Sequence, residues 1–282
     1  MARRNLLLCF DAFGTLFSPK APVAAQYTEV ARQCGITNFT DEQLQVKLMD
    51  AIMHERRVHP NYGKATGLGA TQWWTNIIQS TFAPFVAGPL PPTLVPRLLH
   101  RFSSNEGYSA EESLVSTIRS LKNKNAFNDV VIGVVTNSDD RVPSILSSLG
   151  LDVSPLRYGS LTKVDRNYDI DFHCMSYDVG VEKPDERIFT AADAMLSHII
   201  TSRGGALDES QWYKVYVGDE ISKDVKGAQN AKWSPILLDP EGKENDITKL
   251  EECPKQPVGE LFQRHNVVRI RSLHGLSNWM ME

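Results

Sequence analysis

Four apolar stretches of this chain run out on polar residues. Leu6-Leu7-Leu8-Cys9-Phe10 stops on Asp11, and DVVIGVVTNSDD (129–140) passes into Thr136-Asn137. The stretch 171–176 leads through a loop to Lys183, and WYKVYVGDE (212–220) ends on Asp219-Glu220. Short continuous apolar runs bounded by turn residues read as strands buried on both faces, and such strands belong in parallel sheets. Between them the period changes. Val23, Tyr27, Val30, Ala31 and Cys34 recur at helical spacing before Gly35, and Leu44, Leu48 and Ile52 line a helix from Asp41 to about Arg56, capped by Thr40. Further helical patterns cover 110–122, 141–149, a segment through Leu196 and one reaching Ala231, and two more apolar strands lie at 235–238 and 267–270. Alternating strands and helices predict an α/β fold with a parallel sheet. The stretch from about 20 to 108 has only helical patterns, broken by HPNYGKATGLGA (59–70) and GPLPPTLVP, and reads as an insertion after the first strand.

Composition narrows the functional classes. With 282 residues, 41% hydrophobic and 23% charged, the chain can bury a large core. A net charge of -4 argues against a broad nucleic-acid surface, and no apolar run reaches the roughly 20 residues that span a bilayer. The N-terminal apolar run is also too short for a signal peptide. Cys9, Cys34, Cys174 and Cys253 are scattered without a CxxC pair, so neither a zinc site nor a disulfide framework is expected. A reducing compartment follows, cytosol or nucleus. Oligomeric state is left open.

In open parallel sheets ligands bind at the carboxyl ends of strands, so Asp11, Thr136-Asn137, Lys183 and Asp219-Glu220 should converge on one crevice. Carboxylates hold Mg²⁺ through hard oxygen ligands, a lysine neutralises charge, and hydroxyl and amide donors grip phosphate oxygens. That set suits phosphoryl transfer to or from a small phosphorylated substrate, with one carboxylate able to serve as nucleophile.

The same residues resemble the four-motif signature of the haloacid dehalogenase (HAD) superfamily. The motifs here are Asp11-Ala12-Phe13-Gly14-Thr15-Leu16, Val134-Val135-Thr136-Asn137, Lys183-Pro184 and Gly218-Asp219-Glu220-Ile221-Ser222-Lys223-Asp224. Pro60-Asn61-Tyr62-Gly63, Gln72-Trp73-Trp74 and Val179-Gly180-Val181-Glu182-Lys183-Pro184-Asp185 are similar to the eukaryotic subgroup called haloacid dehalogenase-like hydrolase domain-containing protein three. The resemblance implies a Rossmann-like core over 1–19 and 109–282, with an inserted helical cap over 20–108. It implies Asp11 as nucleophile and Mg²⁺ ligand, the Phe13 carbonyl and Asp219 as further ligands, and Thr136 on a phosphoryl oxygen. Lys183 would screen Asp11 from the incoming phosphate, and Asp224 would hold that lysine or a metal-bound water. Thr15, Asn137 and Lys64 are the expected substrate contacts.

Phe13 departs from the pattern. Phosphatases of the superfamily carry aspartate there as general acid and base; its dehalogenases carry tyrosine but work without metal and lack the Gly-Asp of the fourth motif. Asp219 facing Asp11 argues for a cation between them. The expected activity is therefore a Mg²⁺-dependent phosphohydrolase with impaired proton transfer. The alternatives are a metal-free 2-haloacid dehalogenase, with Arg32 or Arg56 as halide partner, or a silent ligand- or partner-binding protein.

Each residue also has a plainer role. Asp11 could be a turn carboxylate, Thr136 a helix cap, Lys183 a solvated loop residue and Asp224 a first-turn acid. Trp73 and Trp74 fit cap core better than a substrate platform. His54, Arg56, Arg57 and Lys64 fit a solvated face slightly better than an anion-recognising cluster. His173 and Cys9 are expected to be structural.

Overall fold

The computed structural model describes residues 3–123, 126–162 and 166–280. Six strands form one parallel sheet: β1 (Asn5–Phe10), β2 (Val130–Thr136), β3 (Phe172–Met175), β4 (Trp212–Gly218), β5 (Ser234–Leu238) and β6 (Val268–Ile270). Their spatial order is β3-β2-β1-β4-β5-β6, so β1 sits centrally between β2 and β4 and the strand order reverses beside it. The sheet is Rossmann-like. Leu6, Leu7, Leu8, Cys9 and Phe10 have no exposed surface, which is why the first strand reads as one unbroken apolar run. One face of the sheet (Leu7, Cys9, Val131, Val135, Phe172, Cys174, Tyr216) packs on Ile188, Phe189, Ala192, Met195 and Leu196 of the helix Arg187–Ser202.

The chain divides into two compact units, 1–18 with 110–138 and 150–282, and 19–109 with 139–149. The second unit is helical: Val23–Gln33, Asp41–Val58, Gly69–Phe82 and Leu94–Arg101 surround an aromatic interior. There Tyr27 lies 6.2 Å from Phe82 and 5.2 Å from Phe102. Thr40 caps the second helix by accepting from Gln43 N–H, and the Gln43 side chain accepts from Thr40 N–H. Segment 139–149, which the sequence pattern groups with the sheet, clusters with this helical unit. Its Asp139 accepts from Trp74 Nε1 (2.8 Å), and the Arg141 guanidinium lies 4.3 Å over the Trp74 ring. Burial alone would raise the Asp139 carboxyl, yet Arg141 and Trp74 hold it below the usual range.

Residues 60–66, expected as loop, form a 3₁₀ segment in which Asn61, Tyr62 and Gly63 take left-handed backbone (φ 49°, 57° and 66°). The expected loop after β3 begins with a helical turn, Ser176–Val179. Helices Val258–Arg264 and Leu273–Trp279 had no counterpart in the sequence reading. Among the described residues, no helix is long and apolar enough to cross a membrane.

Candidate active site

Sheet register brings the motif residues together. Phe10 pairs with Val134 on one side and Val217 on the other, so Asp11 leaves β1 one residue before β2 reaches Thr136 and β4 gives way to Asp219. Asp11 N–H donates to Val217 O (2.9 Å), fixing the nucleophile candidate to the neighbouring strand. Carboxylate oxygens of Asp11, Asp219 and Asp224 all lie within 4.8 Å of one another. These residues belong to one compact unit.

Lys183 is the cation between two of them, Asp11 and Asp224. Its Nζ lies 2.8 Å from Asp11 Oδ1 and 2.6 Å from Asp224 Oδ1, with a side chain only 1% exposed. The peptide bond to Pro184 is cis. Asn137, an expected substrate contact, brackets the Lys183 main chain: Nδ2 donates to Lys183 O (3.0 Å), and Oδ1 accepts from Lys183 N–H (2.6 Å). The lysine is thereby held at its backbone by the end of β2.

Asp224 is buried and saturated. Oδ1 accepts from Lys183 and Oδ2 accepts from Glu220 N–H (2.9 Å), so its visible task is to hold the lysine. Gly218 makes this possible, since a Cβ there would sit 2.3 Å from Asp224 Cγ. Glu220 turns its side chain outward to Lys223 (2.9 Å).

Asp219 is the least buried of the three acids and accepts from Thr15 Oγ1 (3.0 Å). Thr15, another expected substrate contact, thus orients a carboxylate. Gly14 allows the approach: its φ is +79° and a Cβ would lie 2.3 Å from Asp219 Oδ2. Phe13 is half-buried, with its ring 4.8 Å from Phe17 in an edge-to-face contact, and it carries no titratable group. Lys64 lies exposed on the 3₁₀ segment of the helical unit, as do Arg56 and Arg57 on the preceding helix. Trp73 is buried, its Nε1 donating to His59 O (3.1 Å), and Trp74 is anchored on Asp139.

The electrostatics follow from crowding. Burial raises the Asp11 carboxyl above its ordinary value; Lys183 opposes this, and the charge of Asp224 reinforces it. Burial also raises Asp219, helped by Asp11 and Asp224 and countered by the Thr15 hydroxyl. Asp11 and Asp224 share one ammonium and Asp219 has the Thr15 hydroxyl, so three close acids face a single cation. That donor set, all oxygen and anionic, fits a hard divalent cation held by Asp11 and Asp219.

Tyr216 was not singled out from sequence. Its ring is fully buried and its hydroxyl lies 2.7 Å from Lys183 Nζ. The available signal was a hydroxyl-bearing residue between Val215 and Val217 in the apolar end of its strand, because a buried tyrosine needs a hydrogen-bond partner.

Comparison with known proteins decides the family. Haloacid dehalogenase-like hydrolase domain-containing protein 3 of Mus musculus is 30% identical over 236 residues, covering 82% of this chain and 81% of the mouse protein. The chain belongs to the haloacid dehalogenase-like hydrolases. The fold agrees: a 2-haloacid dehalogenase from Pseudomonas syringae pv. Tomato DC3000 superposes with a TM-score of 0.56 at 18% identity, over 97% of each chain. The magnesium-bound HAD-hydrolase YfnB of Bacillus subtilis gives 0.51 at 14% identity, over 99% of each. No family model matches the chain.

Proposed function

We propose that this HAD-like hydrolase is a Mg²⁺-dependent phosphohydrolase acting on a small phosphorylated compound through a phosphoaspartate at Asp11. The observation that carries the reading is the close set of Asp11, Asp219 and Asp224, of which Asp11 and Asp224 share one buried ammonium and Asp219 does not contact it. A metal-free dehalogenase would have to hold Asp219 close to Asp11 with Lys183, already shared with Asp224, as the cation beside Asp11. Mg²⁺, held by Asp11, Asp219 and the Phe13 carbonyl, would neutralise charge on the transferring phosphoryl group.

The residues divide the work. An Asp11 carboxylate oxygen attacks phosphorus as the bond to the leaving oxygen breaks, and water then attacks the same phosphorus and releases Asp11 as a carboxylate. The Thr136 hydroxyl donates to a phosphoryl oxygen, and Lys183 lowers the repulsion between Asp11 and the incoming anion. Asp224 and Asn137 hold Lys183, and Thr15 holds Asp219. Phe13 supplies no proton to the leaving group, which selects substrates that depart without one, such as acyl phosphates. The helical unit is assigned the role of the cap that selects the substrate, with Lys64 as its candidate substrate contact. Four free thiols suit a reducing compartment, and we place the protein in the cytosol or nucleus.

Acetyl phosphate, p-nitrophenyl phosphate and L-2-chloropropionate, each with and without Mg²⁺, test the reading beside Asp11→Asn. The expected result is Mg²⁺-dependent phosphate release, fastest with acetyl phosphate and abolished in Asp11→Asn. Halide release without metal would overturn it. Phe13→Asp should raise hydrolysis of monoesters with poor leaving groups by about 10²–10⁴-fold, the usual worth of general acid–base catalysis. No gain would count against the proton-transfer diagnosis.

A further inference from the structure

We infer that Tyr216 is a positioning residue that fixes where the Lys183 ammonium sits, and so how well that lysine serves Asp11; the inference rests on the reading just given. An ammonium has three N–H donors and no acceptor. In this site the Lys183 donors have three oxygen neighbours: Asp11 Oδ1 at 2.8 Å, Asp224 Oδ1 at 2.6 Å and Tyr216 Oη at 2.7 Å. The tyrosine is the neutral member of this set. Its own proton goes to Val135 O (2.7 Å), which turns the oxygen lone pairs toward the lysine. Oη is also 3.3 Å from Asp224 Oδ1, so it lies beside the lysine–carboxylate contact.

The ring cannot drift. Tyr216 pairs with Cys9 of β1 in the sheet register, and Phe189 packs edge-to-face on it with centroids 5.0 Å apart. Val135 directly precedes Thr136, so the hydroxyl ties the phosphate-contact strand, the lysine and Asp224 into one network. Without the hydroxyl, one ammonium proton would lose its acceptor in a dry site, and two carboxylates alone would compete for the charge. Asp224, at the shorter distance, would draw the lysine away from Asp11. Packing needs only an aromatic ring at this position; the hydroxyl is what places the cation.

Tyr216→Phe removes the oxygen and keeps the ring. With acetyl phosphate and saturating Mg²⁺, kcat should fall about 10–100-fold, the worth of one hydrogen bond to a charged group. KM and the Mg²⁺ concentration for half-activation should stay within about two-fold. A second readout needs no turnover. In protein labelled with ¹⁵N-lysine, the buried Lys183 ammonium should give a slowly exchanging signal with a nuclear Overhauser contact to the Tyr216 ring edge. In Tyr216→Phe its proton exchange should quicken at least about ten-fold. A kcat within two-fold of the parent, or unchanged exchange in the folded variant, overturns the inference. If Tyr216→Phe does not fold, the parent spectrum decides: a missing Lys183–Tyr216 contact overturns it and an observed one supports it. If the parent shows no Mg²⁺-dependent turnover, the phosphohydrolase reading fails, while the exchange measurement still decides the positioning role.

Discussion

Lys183→Met probes the balance of the site most directly. Methionine nearly matches the volume and reach of the lysine stem, so the change removes charge more than packing. The ammonium it deletes lies 2.8 Å from Asp11 and 2.6 Å from Asp224, with those carboxylate side chains 10% and 2% exposed. Breaking a buried ion pair from one side costs about 3–5 kcal/mol, because a charge is left buried without a partner. The loss should depend on pH. Burial already raises the Asp11 carboxyl, and removing the lysine takes away the main opposing influence. The native variant then binds more protons than its unfolded chain above the unfolded carboxylate range, so its stability falls as pH rises. Urea unfolding of parent and variant with divalent cations chelated, at pH 5.5 and pH 8, measures this. The expected deficit is about 3–5 kcal/mol at pH 8 and clearly smaller at pH 5.5. A deficit below about 1 kcal/mol, or one that ignores pH, would refute the account of Lys183 as the cation that keeps the buried acids together.

Other perturbations test separate links. His173 is buried, and desolvation depresses its imidazole to about 4. An unfolded histidine near 6.5 takes up protons first, so the stability tied to His173 is intact above pH 6.5 and lost between 6.5 and 4, by up to about 3 kcal/mol. His173→Leu should flatten that part of the pH–stability curve, and an unchanged slope would be contrary. Gly218→Ala places a methyl 2.3 Å from Asp224 Cγ and should cost about 1–3 kcal/mol in urea unfolding while loosening the hold on Lys183. Trp74→Phe removes the indole donor from buried Asp139 and should destabilise the helical unit by about 1–2 kcal/mol. Chemical unfolding followed by far-ultraviolet circular dichroism would detect both.

Elements were legible wherever the local pattern carried the physics. Leu6 to Phe10 read as a buried strand because the run is continuously apolar and fully buried, and it stops at Asp11, past the carboxyl end of the strand. The Thr40 cap was visible because its partner is three residues away. Partnerships across long sequence separations were not. Nothing around Thr15 says that it bonds Asp219, 204 residues on. Nothing around Asn137 says that it brackets Lys183, and nothing around Tyr216 points to the same lysine. Segment 139–149 groups with the helical unit, which was not legible for the same reason. Its amphipathic pattern marks a helix but not its neighbours, and the buried Asp139–Arg141 pair and Trp74 that group it with the helical unit are visible only once the chain is folded.

The sequence alone determined the strand–helix alternation, the four polar strand ends and the family signature, because periodicity and motif spacing are local properties of the chain. Only the tertiary structure decided which side chains face the crevice and which hold others in place. That is a matter of sheet register, which sets Phe10 beside Val134 and Val217 and thereby brings Asp11, Asp219 and Asp224 within 4.8 Å of one another, with Lys183 on two of them.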